Sequence, residues 1–362
     1  MGRVSYGMVH LDEAEASHWP SAAWRKHPYF PLFAAAVIAF VMLVAGCKRA
    51  ENVPDAKSRG TADSVTIDMS VYGGAALIYI ALAKRLFEDE GLKITVQTHS
   101  TGKESLDAVL SGGADVATVA ELPITLAILE GRPVAIVATL ASGESDYGVV
   151  GRSDKGIAGP ASLKGKRVAV TLGTSSDFFL DALLVRHRLS RADVRLINRK
   201  PDEMADTLEK GEADAASTWE PYLSSARKRL GSNSTVVGNE GIYESTFNLA
   251  TTRDFVGQRS ETVKKLLRAL IRAEQLYIDD RPTAEKIVAE WLKSDAPEAA
   301  QFLSKHRLGL SLDQSLLVMM EDEARWAVRN KLVESKATPN FLNNIDIDAL
   351  LAVEARAVTV IH

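Results

Sequence analysis

Cysteine is all but missing from this chain: Cys47 is the only one in 362 residues. A single thiol allows no intramolecular disulfide and makes a cysteine-based metal site unavailable. An excess of positive charge is missing too. Lys and Arg total 43 against 47 Asp and Glu, for a net charge of −4. That balance gives no electrostatic footing for nucleic acid, which asks for a basic face. The usual catalytic signatures are also absent. There is no Gly-x-x-x-x-Gly-Lys-Ser/Thr loop, no His-Glu-x-x-His and no Gly-x-Ser-x-Gly. Gly165-Lys166 precedes a strand pattern instead of opening a helix, so it is not a phosphate loop. No cofactor, no metal and no catalysis are expected.

What remains is an ordinary globular composition, 46% apolar and 25% charged, with room for two domains of usual size. The position of Cys47 is informative. Arg25 and Lys26 precede an uncharged run over 30–46, which ends Leu43-Val44-Ala45-Gly46 before Cys47. A bilayer span needs roughly 20 apolar residues, and this run is shorter. A positive flank, an apolar core and small residues before the cysteine resemble a bacterial lipoprotein signal. In such a signal the cysteine is lipidated and becomes the new N-terminus. The expectation is a signal peptide over 1–46, a lipid anchor with palmitate on Cys47 and a polar tether over 47–63. The protein is then exported and held on a bacterial cell membrane, on its periplasmic or extracellular face.

Beyond the tether the chain alternates strand and helix patterns. Strands are expected at 64–70, 93–98, 114–120 and 134–140, with helices at 75–90, 104–111 and after Pro123. Such a series predicts a mostly parallel sheet covered by helices. A second series runs from 164 to 237. Its strand over 167–171 stops at Gly173-Thr174-Ser175-Ser176-Asp177, and a helix follows at once. A strand ending this way gathers backbone N–H groups, hydroxyls and a helix N-terminus at one point. Each half repeats one device: Ser111-Gly112-Gly113-Ala114-Asp115-Val116 and Lys210-Gly211-Glu212-Ala213-Asp214-Ala215. From Ser260 onward the pattern reads as helical throughout, and Trp291 and Trp326 fall on apolar faces.

Several segments together resemble a known family. They are Lys84-Arg85-Leu86-Phe87-Glu88-Asp89-Glu90-Gly91-Leu92, then Leu106-Asp107-Ala108-Val109-Leu110-Ser111-Gly112, then Leu163-Lys164-Gly165-Lys166-Arg167-Val168-Ala169-Val170. The last is Glu209 to Ala215 with Trp219-Glu220-Pro221 after it. In this order and spacing they resemble the periplasmic solute-binding proteins of ABC importers, in the group for nitrate, sulfonates, taurine and thiamine precursors. The resemblance implies an α/β periplasmic-binding-protein fold (type II-like) of two lobes, each a mostly parallel sheet flanked by helices, with a helical C-terminal tail. Lobe I is then 64–141 with 243–362 and lobe II is 142–242. It implies a monomer that captures a small solute by hinge closure and delivers it to a permease and its ATPase. Two other readings are an iron-dependent thiamine-pyrimidine synthase-like enzyme and a binding protein that feeds a sensor. The synthases carry a cysteine-rich motif that this chain lacks.

In such proteins the ligand meets the loops after the strands. The first half offers Tyr72, Gly73, Gly74, Ser100, Thr101, Glu121 and Ser142. The second offers Thr174, Ser175, Ser176, Asp177, Trp219 and Glu220, with Tyr243 and Glu244 at the return crossing. Ser175 or Ser176 could equally be a helix cap, and Asp177 or Glu121 a first-turn acid that favours the helix dipole. The acids at helix starts argue against nitrate and plain sulfonates, which want cations or open helix N-termini. The expected solute is an amine, a pyrimidine-like compound or a taurine-like zwitterion.

Overall fold

The computed structural model describes residues 63–362 except 145, 239, 240 and 336. The expected signal peptide, Cys47 and tether up to residue 62 lie outside the described residues. The chain begins with β1 (Asp63–Ser70), α1 (Ala76–Ala83), α2 (Leu86–Asp89), β2 (Leu92–His99) and α3 (Gly102–Leu110). It continues with β3 (Val116–Ala120), α4 (Glu121–Leu129) and β4 (Val134–Gly143). The second run is β5 (Tyr147–Arg152), β6 (Arg167–Val170), α5 (Ser175–Arg186), β7 (Arg195–Asn198), α6 (Met204–Glu209), β8 (Ala215–Trp219), α7 (Tyr222–Leu230) and β9 (Ser234–Val237). Then β10 (Ser245–Thr252) leads into α8 (Arg253–Gln258), α9 (Ser260–Asp279), α10 (Arg281–Leu292), α11 (Ala296–Ser304), β11 (His306–Ser311), α12 (Gln314–Arg329) and α13 (Ile347–Val353).

Two mixed sheets result. The first has the order β11-β4-β10-β3-β1-β2 and the second β7-β6-β8-β5-β9. In the first, β1 lies parallel to β2 and β3, while β10 and β11 run antiparallel to their neighbours. In the second, β6 is parallel to β7 and β8, and β5 is antiparallel to β8 and β9. The chain passes from one sheet to the other after Gly143 and returns before Ser245. All ten residues of β4 are buried, as expected of a strand covered on both faces, where an unbroken apolar run replaces alternation. Helix α4 is buried almost all round, so it sits inside the molecule and not on its surface.

The repeated Ala-Asp device has a structural reason. Asp115 Oδ2 accepts the Thr66 N–H at 2.7 Å, and its own N–H reaches the Thr66 carbonyl at 3.0 Å. Asp214 does the same to Arg167 in the other sheet, at 2.9 and 2.8 Å. Each aspartate thus fastens the start of one parallel strand to another. The glycines before them, Gly112 and Gly211, have φ of +80° and +69°, the left-handed turn that glycine allows at a helix end.

The tail packs on the first sheet, with Arg268 Nε on Glu90 at 2.8 Å and the Arg259 guanidinium on the Ser64 carbonyl at 2.9 Å. One element departs from the helical reading of this region. Residues His306–Ser311 form β11, the edge strand beside β4. Leu308 and Leu310 point inward while Arg307 is exposed, a period of two hidden in six residues between helices.

Candidate functional site

The loops after β1, β2, β3, β6 and β8 converge where the two lobes face each other. They enclose an inner cleft of about 40 Å³. Tyr72, Thr101, Thr174, Ser175 and Trp219, expected from the sequence, all line it. So do Ser70, Lys103, Tyr147 and Phe247, which sequence reasoning did not select. Tyr147 opens β5, and Phe247 lies two residues after the start of β10 at Ser245, in the strands that follow the two crossings. An aromatic at that position was the available signal.

Three helices begin at this cleft. Thr101 caps α3 in a full capping box: its hydroxyl accepts the Glu104 N–H and the Glu104 carboxylate accepts the Thr101 N–H. Ser100 is turned aside by the same carboxylate, donating to it at 2.6 Å. Helices α4 and α5 have no side-chain cap. Thr174, at the cap position of α5, donates instead to the Thr171 carbonyl at 2.7 Å. An uncapped first turn leaves backbone donors and the positive end of the helix dipole directed at whatever sits in front of it; α5 offers these most fully, since in α4 the Glu121 carboxylate takes its own N–H and Pro123 has none. Lys103 adds a cation on the same wall, 2.7 Å from Asp107.

The carboxylates that argued against an anion do not line this cleft. Glu121 is wholly buried and accepts from the Thr246 N–H at 2.7 Å, the Thr246 hydroxyl at 3.0 Å and the Ser175 hydroxyl at 3.3 Å. Near it Glu323, also wholly buried, accepts from Thr125 at 2.8 Å and from the Tyr243 hydroxyl at 3.2 Å. Burial pushes the Glu121 carboxyl above the usual range. Burial, then the charge of Glu121, pushes Glu323 well above it. The two oppose each other's ionisation, so the pair retains a proton where lone carboxylates lose theirs. Asp177 is buried and paired with Arg191 at 2.6 Å, and it also accepts the Gly173 N–H at 3.1 Å. Glu220 accepts from the Ser224 N–H and hydroxyl at 3.0 and 2.9 Å.

The other sequence candidates fall around the cleft. Ser176 is buried behind Thr174, with the hydroxyls 3.0 Å apart. Gly74 is buried, and a Cβ there would meet the Tyr72 and Phe247 side chains at 2.7 and 2.8 Å. Ser142 lines a small crevice between the crossing strands, together with Asp146 and Thr246. Tyr243 is buried against Glu323, and Glu244 is exposed.

A larger outer chamber, about 180 Å³, adjoins the cleft. Gly73 and Asp146 line it, with Glu220, Ser224 and Arg227 from the second lobe and Leu292 to Lys305 from the tail. Between chamber and crevice stands a polar chain that the sequence did not reveal. The Tyr72 hydroxyl donates to Asp146, and His306 Nε2 lies 2.6 Å from the same carboxylate. His306 Nδ1 is 2.6 Å from the Phe302 carbonyl. Burial opposes a charge on this imidazole, but the bond and charge of Asp146 outweigh it and raise the His306 pKa.

Residues 74–284 match the family described as NMT1/THI5 like. A Bacillus subtilis (strain 168) protein provisionally named an aliphatic sulfonates-binding protein is 26% identical over 316 residues, covering 83% of this chain and 90% of that one. The taurine-binding periplasmic protein of Escherichia coli (strain K12) is 26% identical over 223 residues, 60% of this chain and 68% of its own. Among solved structures, the alkanesulfonate-binding protein SsuA from Xanthomonas axonopodis pv. citri, bound to MOPS, superposes with a TM-score of 0.69. That match has 19% identity and covers 79% of this chain and 99% of the other.

Proposed function

Since the chain belongs to the NMT1/THI5-like family, we propose that it is the solute-binding subunit of an ABC importer and that its inner cleft takes a small organic anion of the sulfonate class, taurine-like compounds included. The observation that carries the solute class is the cleft itself. Two uncapped helix N-termini, the Thr174 and Ser175 hydroxyls and Lys103 surround it, while Glu121, Asp177 and Glu220 are engaged elsewhere. Open helix N-termini hold oxyanions without needing a full countercharge. The sulfonate- and taurine-binding relatives support the same class. An amine on a taurine-like solute meets the Tyr72 and Trp219 rings, which line the same cleft, as a cation over an aromatic face.

In this reading the protein performs no chemistry. Both lobes contribute to the cleft, so a solute that touches both favours their approach, and the joined surface is what a permease and its ATPase receive. Export follows from the signal pattern ahead of Cys47, and lipidation of that residue keeps the protein on the membrane as a monomer. Replacing Cys47 by Ala is expected to release the protein into the soluble fraction and to abolish palmitate labelling.

The decisive experiment is a titration calorimetry and thermal-shift series on the protein from residue 63 onward, with taurine, short alkanesulfonates, nitrate, alkylamines and aminopyrimidines. Sulfonates are expected to raise the melting temperature by mass action. The Thr174 and Ser175 hydroxyls turn to the solute from the Thr171 carbonyl and Glu121, so Thr174→Ala with Ser175→Ala should weaken sulfonates by about 1–3 kcal/mol, the cost of losing hydrogen bonds to a charged group. Stabilisation by amines or aminopyrimidines alone would overturn the solute class.

A further inference from the structure

The cleft reading leaves the outer chamber without a role, although the chamber is the larger space, about 180 Å³ against 40 Å³. A cavity of roughly 150 Å³ is enough to admit benzene, so the chamber has room for a group of that size. The two spaces share their partition. On the first lobe Tyr72 faces the cleft and its neighbour Gly73 the chamber; on the second, Trp219 faces the cleft and Glu220 the chamber. A solute whose head lies in the cleft and whose body extends past this partition brings its far end to the chamber.

Charge indicates what the chamber accepts. Asp146 is engaged by Tyr72 and His306, and Glu220 by Ser224. Ser224 is a neutral partner, so Glu220 keeps its charge, as does Glu298 on the exposed rim. Against these two carboxylates stand Arg227 on α7 and Lys305 just beyond α11, both lining the chamber. Among the described residues neither forms an ion pair, whereas Arg229 on the same helix is held by Asp206 and Glu209. Two uncommitted cations thus face one chamber from opposite lobes, above a floor that includes Phe302 and Leu292.

We propose that the chamber is a second anion-binding subsite and that the protein prefers two-headed organic anions. One head lies at the helix N-termini of the cleft. The other lies between Arg227 and Lys305, with a short apolar body against Phe302. This inference rests on the cleft being the first anion site. It gives the chamber a selective function: the second head, like the first, is gripped from both lobes.

Three probes of equal chain length test it by calorimetry: an alkanesulfonate, the corresponding alkane-disulfonate and the corresponding aminoalkane-sulfonate. The disulfonate is expected to bind about tenfold more tightly than the monosulfonate, the worth of one charge-assisted contact. Arg227→Ala with Lys305→Ala should return the disulfonate to the affinity of the monosulfonate. Equal affinities for the two sulfonates, or a gain that survives the double substitution, would overturn the proposal and leave the cleft reading standing. Tightest binding by the aminoalkane-sulfonate would also overturn it, since the protein would then prefer a cation to an anion as the second head. Failure of all three to bind would overturn both readings together.

Discussion

Glu121 and Glu323 sit so deep, and so near each other, that their protonation is part of the fold. A carboxyl whose pKa is higher folded than unfolded takes up a proton on folding. Its stabilising effect is complete in acid below the ordinary glutamate value, and it is lost as pH rises through the raised value. Glu323→Gln keeps the size and an acceptor for Thr125 or Tyr243, supplies an N–H toward Glu121 and removes the titration. The variant is expected to melt higher than the parent at about pH 8, with the difference shrinking toward about pH 5. A stabilisation on the order of 1 kcal/mol corresponds to roughly 2 °C in a chain of this size. Melting curves across that range check it, and an advantage for the variant that grows in acid would refute the shared proton. At this scale the sequence was only half legible. Glu121, Asp177 and Glu220 could be picked out as acids at helix starts. Their orientations could not, because Thr246, Arg191 and Ser224, which satisfy them, include two partners remote from them in the chain.

Elements were easier to read, because periodicity reports burial directly. The βα series, the glycine stops and the paired Ala-Asp steps were all visible, and Asp115 and Asp214 turn out to perform one task in two sheets. Strand β11 was hidden, since its six residues lie between helices and its pattern needs the neighbouring β4 to become meaningful. Helix α12 carries an equally hidden task. Trp326 read as a core residue, and it is buried, but its indole N–H donates to Asp181 on α5 at 2.7 Å. Its ring meets Phe178 edge-on at 5.4 Å. The tail thereby holds the second lobe as well as the first. Trp326→Phe keeps an aromatic ring and removes the donor, leaving Asp181 with Arg191 at 3.3 Å. Burial already raises the Asp181 pKa, so its carboxylate tolerates the loss poorly. A destabilisation of about 1–3 kcal/mol is expected, measured by denaturant unfolding at neutral pH. A neutral result would show that the indole bond contributes nothing to the seam.

Across the whole molecule the lobes meet in two unlike ways. One seam is interlocked: Phe178 and Asp181 of α5 against Trp326 of α12, with Ser175 on Glu121 and Tyr243 on Glu323. The other is thin. Lys200 and Glu104 approach at 3.8 Å, with side chains 63% and 37% exposed, and an exposed pair of this kind contributes less than about 1 kcal/mol. Closure at that side therefore depends on what fills the cleft, while the interlocked seam is the place for a pivot. Hydrogen exchange distinguishes the two. Amides over 178–183 and 323–328 are expected to stay protected with or without a sulfonate. Amides over 102–103 and 174–176 are expected to gain protection only when the solute is present, because their first-turn N–H groups then acquire partners and the lobes settle over them. Loss of protection over 178–183 in the solute-free protein would move the pivot elsewhere. Unchanged exchange over 174–176 at saturating sulfonate would remove that helix start from the site.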